Sequence, residues 1–505
     1  MPNLNCYGGA RNTRTAPIAA PSISLQIDGN AKLAFDYQDV DEVPLLEGYG
    51  EQGRQTQCGD VDDVIGERRL VLGLDFGTSS VKVVVGDAAL GKAFAVPFRA
   101  SSDIARYLLP TRLRESSGVY SLCEGSVTHR DLKLALIANP DDAALRRQAS
   151  AFLALVIRRV RGWLFTAHRD IYQRTRLFWK LAIGLPAAHH LDDPLHRSFY
   201  EVAHAAWLAS IGPRVDARCI RNAEQRGQTL RDSPEQASLD EDIEVSVVPE
   251  IAAQIYGFVN SSRFNRRDRN IYLMVDVGAG SVDSSLFHVK PSRGRWDFEF
   301  FTSVVEPHGV MNLHRHRVHW WEEQLSSHPS GQSLRTELAG VKFATDRTTA
   351  LPESFSRYFS GVSTRVSKDR DDPDKEFFRY KVVQQVRGQS YWRAWKDGLL
   401  SQAQLAAVPA FYCGGGMRMQ YYSRLQHEMQ SMPGCTWLKA EPRRVELPKD
   451  LEAPGLKRSD YDRLTVAYGL SFLEVGRVTK SLPPPRLPSN PQSNWRSNYV
   501  DKDCC

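Results

Sequence analysis

Two short segments carry the residue types that handle phosphate. The first is Leu74-Asp75-Phe76-Gly77-Thr78-Ser79-Ser80, an apolar run that ends in an acid, a glycine and a series of hydroxyls. A phosphate needs backbone N–H donors at close range, and Gly77 removes the Cβ that would block the approach. Thr78 and Ser79 add hydroxyl donors, and Asp75 can hold water molecules of a hydrated Mg²⁺. Read alone, the segment also fits an ordinary strand-turn-strand with polar turn residues. The second segment, Asp276-Val277-Gly278-Ala279-Gly280-Ser281-Val282-Asp283, repeats acid, glycine turn, hydroxyl and acid after another apolar run. In a duplicated fold the two turns would face each other across a cleft and grip a polyphosphate from both sides. A third turn, Cys413-Gly414-Gly415-Gly416-Met417-Arg418, follows a third apolar run. Its glycines would let the backbone lie flat against a base or ribose, with Arg418 along the purine face. Three such turns in this order point to a nucleotide site.

The elements needed to position these turns can be read from periodicity. Leu70 to Asp75, Val81 to Val85 and Ala93 to Phe98 are short runs rich in β-branched residues, split by turns. Helical patterns follow over Ala143 to Leu164 and Pro194 to Ile211, with an apolar strand at Leu177 to Ile183 between them. The order then begins again. Ile271 to Val275, Val282 to Val289 and Phe298 to Val305 form a second strand triplet. A helix over Met311 to Leu325, a strand at Val408 to Cys413, and helices over Met417 to Met429 and Ser459 to Val475 come after it. Two rounds of this pattern predict a duplicated α/β architecture. Residues 213–243 read as an inserted polar loop, Lys368 to Glu376 as a charged surface excursion, and Leu482 to Pro491 as a Pro-rich tail.

These motifs resemble the superfamily of actin, DnaK-type chaperones and sugar kinases, and are most similar to DnaK-like ATPase domains. Its two phosphate loops look like residues 73–80 and 276–283, and its adenosine loop looks like 413–418. Val248-Pro249-Glu250-Ile251-Ala252-Ala253-Gln254-Ile255-Tyr256-Gly257 is similar to the segment before the second loop, and Thr465-Val466-Ala467-Tyr468-Gly469 to the closing connector. The resemblance covers about residues 70–476. It implies two ribonuclease H-like lobes around ATP and Mg²⁺, with lobe I at 69–248 and lobe II at 249–476. Lobe II would include a smaller subdomain at about 311–405. Residues 1–68, low in apolar content, read as a poorly ordered extension or a surface strap with one strand at Ser24 to Ile27, and 477–505 as a tail. The resemblance further implies that Asp75 and Asp276 order the metal's water shell, that Ser281 lies near the γ-phosphate, and that Lys133 reaches the phosphates. A solvated helix lysine is the plain alternative for Lys133. The family's general-base glutamate falls on Val248, so Glu250 would have to substitute, or hydrolysis would be very slow. Ala279 replaces a glycine of the family's loop.

What the resemblance implies is an ATPase whose lobe closure acts on a protein partner, through the N-terminal extension, the 213–243 insertion or the region near 326–400. Roughly 29 Pro-rich and polar residues follow the last connector, so no peptide-clamping domain is expected. A sugar-type kinase, a filament-forming actin homologue and a non-hydrolysing ATP-binding scaffold are the alternatives.

Composition limits other classes. With 505 residues, 42% of them hydrophobic, the chain can bury a large core. No run approaches the roughly 18 apolar residues of a membrane span, and the eight cysteines form no CxxC pair. A cytoplasmic protein is the expectation. A net charge of +6 is mild for this length and does not argue for nucleic-acid binding. Arginines in 158–161 and 263–269 could meet nucleic acid or protein, and solvated faces are the plainer account. Gly48 to Gly53 fits GxGxxG without the flanking strand a dinucleotide fold requires. Residues 86–93 fall one short of a P-loop and read as a hairpin. His308, His314, His316 and His319 read as a solvated helix face rather than metal ligands. Cys504-Cys505 lacks the full prenylation signature.

Overall fold

The computed structural model describes residues 23–34, 45–59, 64–189, 192–341, 351–367, 371–430 and 437–482. The fold is mixed α/β and is organised by two large sheets. In the first, the order is Ile243–Pro249, Thr175–Leu185, Gly66–Phe76, Ser80–Asp87, Lys92–Ala95, Leu451–Glu452, with Leu109–Pro110 paired beside Ser80–Asp87. Three consecutive strands form an antiparallel meander, and Thr175–Leu185 and Ile243–Pro249 are added in parallel on its other side. The second sheet runs Lys439–Arg443, Ala406–Cys413, Ile271–Val277, Val282–Ser292, Arg295–Glu306, Val475–Lys480. It again has an antiparallel meander, with Ala406–Cys413 added in parallel to the meander's first member and Lys439–Arg443 in parallel beyond it. Numbered along the chain, with the two-residue side strand Leu109–Pro110 left out, the first five strands of each sheet lie in the order 5-4-1-2-3. Each sheet takes its last strand, in parallel pairing, from residues beyond 450.

The strands are apolar because both faces of each sheet are covered. Every residue of Ser80–Asp87 is buried. On one face of the first sheet, helices Ala143–Ala167 and Asp193–Ile211 bury Phe152, Val156, Val160 and Trp207 against Leu72 and Leu74. Aspartates fix where these helices begin: Asp142 accepts from the N–H of Ala144 and Leu145, and Asp192 from that of Leu195, caps worth about 1 kcal/mol each. Between the two sheets lies a shared layer of two helices, Glu250–Val259 and Thr465–Phe472. Ile251, Ala252 and Ile255 of the former pack with Met274, Phe287 and Phe411 of the second sheet. Ala467 and Tyr468 of the latter pack with Val84 and Ala93 of the first.

Several segments differ from the sequence-based expectation. Within the inserted polar loop at 213–243, Ala217–Asp232 is a helix that buries Ile220, Ala223, Gly227 and Leu230. So sparse an apolar stripe among charges conceals a helix. In the stretch expected as an extension with one strand at Ser24 to Ile27, that strand is present and longer, Ile23–Leu33, and pairs antiparallel with Phe359–Val366. Tyr49–Gln52 lies on helix Ala143–Ala167, and a Cβ on Gly53 would sit 1.7 Å from the Arg158 carbonyl oxygen. Of the glycines in the GxGxxG pattern, Gly53 is the one that lets the chain lie on the helix. Of the charged excursion, 368–370 fall outside the described residues, while Pro373–Phe377 is helical and continues as a π-helix through Phe378–Trp392. The predicted helix over Met417 to Met429 is a 3₁₀ turn, Gly415–Arg418, followed by helix Gln420–Glu428. The one over Ser459 to Val475 is likewise split, and the chain then enters a strand. The tail from 483 onward lies outside the described residues. Among the described residues no helix is long and apolar enough to cross a membrane.

The two shared helices cross at Gly469, where an added Cβ would lie 1.8 Å from the carbonyl oxygen of Ala253. Backbone cannot yield there as a flexible side chain would. Gly469→Ala is therefore expected to cost about 3 kcal/mol, read as a lower urea midpoint, and an unchanged midpoint would show that the helices are free to separate.

Candidate functional site

Each meander begins with a hairpin, and the two hairpins match residue for residue. In the first, Asp75 pairs with Lys82 and Phe76 with Val81. In the second, Asp276 pairs with Asp283 and Val277 with Val282. Phe76, Val81, Val277 and Val282 have no exposed surface, so an apolar pair anchors each four-residue turn beneath its tip. Thr111 holds the first turn: its Oγ1 donates to Gly77 O at 2.7 Å and its N–H to Ser79 O at 3.0 Å. The start of helix Val310–Ser326 holds the second. Val310 N–H donates to Gly278 O at 3.2 Å and Met311 N–H to Ala279 O at 2.8 Å, while Asn312 Nδ2 donates to Gly280 O at 2.6 Å. With these carbonyls committed to the helix, N–H groups are what the turn has left to offer a ligand.

The turns meet tip to tip. A Cβ on Gly280 would lie 3.1 Å from Thr78 Cγ2 and 2.9 Å from Leu134 Cδ1. The third turn reaches the same place because strand Ala406–Cys413 runs parallel to Ile271–Val277 and sets Cys413 beside Asp276. Gly414 then has φ +89°, and a Cβ there would lie 2.2 Å from Asp276 Oδ1. Only glycine satisfies both conditions.

Together the turns enclose a cavity of about 450 Å³. Asp75, Gly77, Thr78 and Ser79 line it from the first hairpin, and Gly278, Ala279, Ser281 and Asp283 join Asp276 from the second. Gly414, Gly415, Gly416 and Arg418 line a third side, and Lys133 and Glu250 complete the set singled out from sequence. Gly280 alone of that set is not on the wall; it faces Thr78. Val248 is buried in its strand away from the cavity, while Glu250, two residues on, begins the shared helix. Gly184 leaves the room for its side chain, since a Cβ there would lie 2.7 Å from Glu250 Cγ.

Charge inside the cavity is dense and mostly paired. Lys82 Nζ lies 3.0 Å from Asp75 Oδ2, and Lys133 Nζ donates to Glu250 Oε1 at 2.6 Å. Lys133 is 6% exposed, which excludes the solvated-lysine reading. Burial works against its charge, yet Glu250 and Asp75 hold its pKa above the usual lysine value. Asp276 accepts from Gln254 Nε2 at 2.6 Å, and burial still raises its pKa. Asp283 is the exception to pairing. It is 6% exposed and its Oδ1 has no partner; burial first, then the nearby Glu250, lifts its pKa well above the carboxylate range. Arg418 does not lie free along the cavity but bonds Asp460 at 3.1 Å and Asp462 at 3.2 Å.

Lys82, Gln254, Asp462 and Arg463 were not singled out from sequence. Lys82 could have been found, because aligning Asp75 with Asp276 sets it at the place of Asp283. Gln254 stands four residues after Glu250 and so shares its helix face. Nothing local marks Asp462 or Arg463, which the chain delivers late in its length. Among the described residues no three His, Cys, Asp or Glu side chains are gathered to hold a metal ion.

The remaining basic and histidine clusters resolve differently. Arg158 and Arg161 are buried in the core beside the first sheet: Arg158 Nε donates to Ser210 O at 2.8 Å, and Arg161 lies 4.6 Å over Trp207, its pKa lowered by burial and by Arg158 to about 9. His314 is no solvated residue either, being buried between Tyr358 Oη at 2.7 Å and Val341 O at 2.8 Å. Compared with known proteins, the sequence matches no family model and none of the curated proteins.

The Asp283 carboxyl has a folded-state pKa above its unfolded value near 3.8. The folded state therefore binds the proton more tightly, and stability falls as pH rises above that value. Asp283→Asn removes the penalty. Its urea midpoint is expected to exceed the parent's at about pH 7.5 and to converge with it toward about pH 4; a gap independent of pH would place the cost elsewhere.

Proposed function

We propose that this chain is a DnaK-like member of the actin-like ATPase superfamily, a protein that holds ATP with Mg²⁺ between two ribonuclease H-like lobes and couples closure of the cleft to a protein partner. The observation that carries this reading is the pair of hairpins with equal length and register, meeting turn to turn over a cavity that a third glycine turn also lines. The common 5-4-1-2-3 strand order supports the duplicated fold. A volume of about 450 Å³ suits a nucleotide-sized ligand.

The residues present fit such a ligand. The narrow space beside Gly414 would be closed by any side chain, and the unpartnered Asp283 Oδ1 is a buried acceptor lacking a donor. The two hairpin turns and Lys82 would hold the phosphates, and Gly414 to Gly416 with Arg418 and Arg463 would face the base and ribose. Asp75 and Asp276 would hold Mg²⁺ through its waters. Bound to the triphosphate, the ion would supply neutralisation of charge at the phosphates. Glu250 would be the carboxylate that orients or deprotonates water, through the oxygen that Lys133 does not occupy, and the charge of Lys133 on its other oxygen would make it a weaker base. That bond, with Val248 buried away from the cavity, favours one second reading, in which ATP is bound and not hydrolysed.

Calorimetric titration with ATP and Mg²⁺ separates these readings. Asp75→Asn and Asp276→Asn are each expected to weaken binding at least about tenfold. Glu250→Gln is expected to lower turnover about 100-fold while changing affinity less than about threefold. Binding without turnover in the parent protein would establish the second reading, and no binding at all would remove both. Phosphorylation of a sugar in place of water would move the chain to the kinases of the same superfamily.

A further inference from the structure

The arginines of 263–269 take no part in the cleft. They follow helix Glu250–Val259 and lie at the other end of the second sheet, where its strands begin. There the two central parallel strands part. Ladder pairing between them starts only at Leu273 and Ala410. Ile271 and Tyr272 on one side, and Ala406 to Pro409 on the other, line a groove of about 1000 Å³. Pro409 has no N–H to give the ladder. Ala407 is skipped in the pairing with Lys439–Arg443 and has φ +59°, a conformation that costs a residue with a Cβ about 1 kcal/mol. The strand on this wall is thus bulged at Ala407 and stays paired with Lys439–Arg443, while its side toward Ile271 and Tyr272 is outside the ladder.

Charge on the rim is one-sided. Arg263, Arg267 and Arg269 line it from the loop, and Arg443 and Arg444 from the end of a strand far along the chain, against Asp268 as the acid in the lining. Glu446 pairs with Arg263 at 2.7 Å and Glu441 with Arg443 at 3.4 Å. Arg269 donates to the neutral carbonyl of Ala403. Arg267 and Arg444 are exposed and have no carboxylate partner among the described residues.

We propose that this groove binds an acidic segment of a partner protein in extended form, its Asp and Glu side chains paired with Arg267 and Arg444. Guanidinium groups suit carboxylates by two-point hydrogen bonding, and Pro409, half-buried in the lining, offers aliphatic contact to a peptide. A single-stranded nucleic acid would require aromatic faces for its bases. The groove's Tyr272 is 5% exposed, with its hydroxyl bonded to Asn270 Oδ1 at 2.9 Å, and Phe258 packs edge-on against it. This proposal does not depend on the nucleotide reading.

The test is fluorescence anisotropy of a labelled octaglutamate peptide with the full chain, at about 0.1 M salt where surface charge is only partly screened. The parent protein is expected to bind it. Arg267→Glu and Arg444→Glu are each expected to raise Kd at least about fivefold, whereas Arg335→Glu, the same change of charge on a distant exposed helix, leaves Kd unchanged. Melting temperatures equal to the parent's confirm that the folded chain is compared. No peptide binding, equal loss in all three variants, or tighter binding of an oligonucleotide of the same charge with the same sensitivity to Arg267 and Arg444 overturns the proposal.

Discussion

The spacing between the two sheets is fixed at one contact between backbones. Where helix Thr465–Phe472 crosses helix Glu250–Val259, Gly469 lies directly on the Ala253 carbonyl. A second set of close approaches ties the same layer to the first sheet, for a Cβ on Gly73 would lie 2.2 Å from Ala467 O and one on Gly86 2.3 Å from Ser471 O. Side chains can repack, but carbonyls in regular structure cannot. The width of the cavity, and the position of Glu250 at the start of the crossing helix, follow from these glycines more than from any charged contact.

Within that frame the hairpins are alike in backbone and unlike in charge. One turn stands above Asp75 and Lys82, which neutralise each other, and the other above Asp276 and Asp283, which cannot. Gln254 relieves Asp276 with a neutral hydrogen bond, and Asp283 is left to burial. A buried carboxylate without a donor costs far more than a surface one. Tolerating it concentrates unmet electrostatic demand on one wall of the cavity, where a cation or a hydrogen-bond donor from a ligand would be most strongly favoured.

The strand triplets and the long helices were legible because their apolar spacing is dense: Ser80–Asp87 and Ala143–Ala167 read clearly. So did the glycine turns, since acid, glycine and hydroxyl stand together in the chain. Helix Ala217–Asp232 was hidden because four buried residues in sixteen suffice when it needs only to lie against a neighbouring helix. The strand Lys439–Arg443 was hidden by its own sequence, Lys-Ala-Glu-Pro-Arg, which an edge position tolerates and a central one would not. Asp462 and Arg463 were hidden for a different reason. Their place on the cavity wall depends on long-range packing that no local pattern encodes.

The late strands Leu451–Glu452 and Val475–Lys480, each closing a different sheet, have a consequence for how the molecule is assembled. Until residues 451–480 have left the ribosome, Lys92–Ala95 and Arg295–Glu306 both present open hydrogen-bonding edges to the surroundings. Such edges invite pairing with other nascent chains. The central helix Thr465–Phe472 arrives in the same interval, so the two halves cannot dock before it does. Docking of residues 451–480 therefore closes one border of each sheet and adds to the core between them.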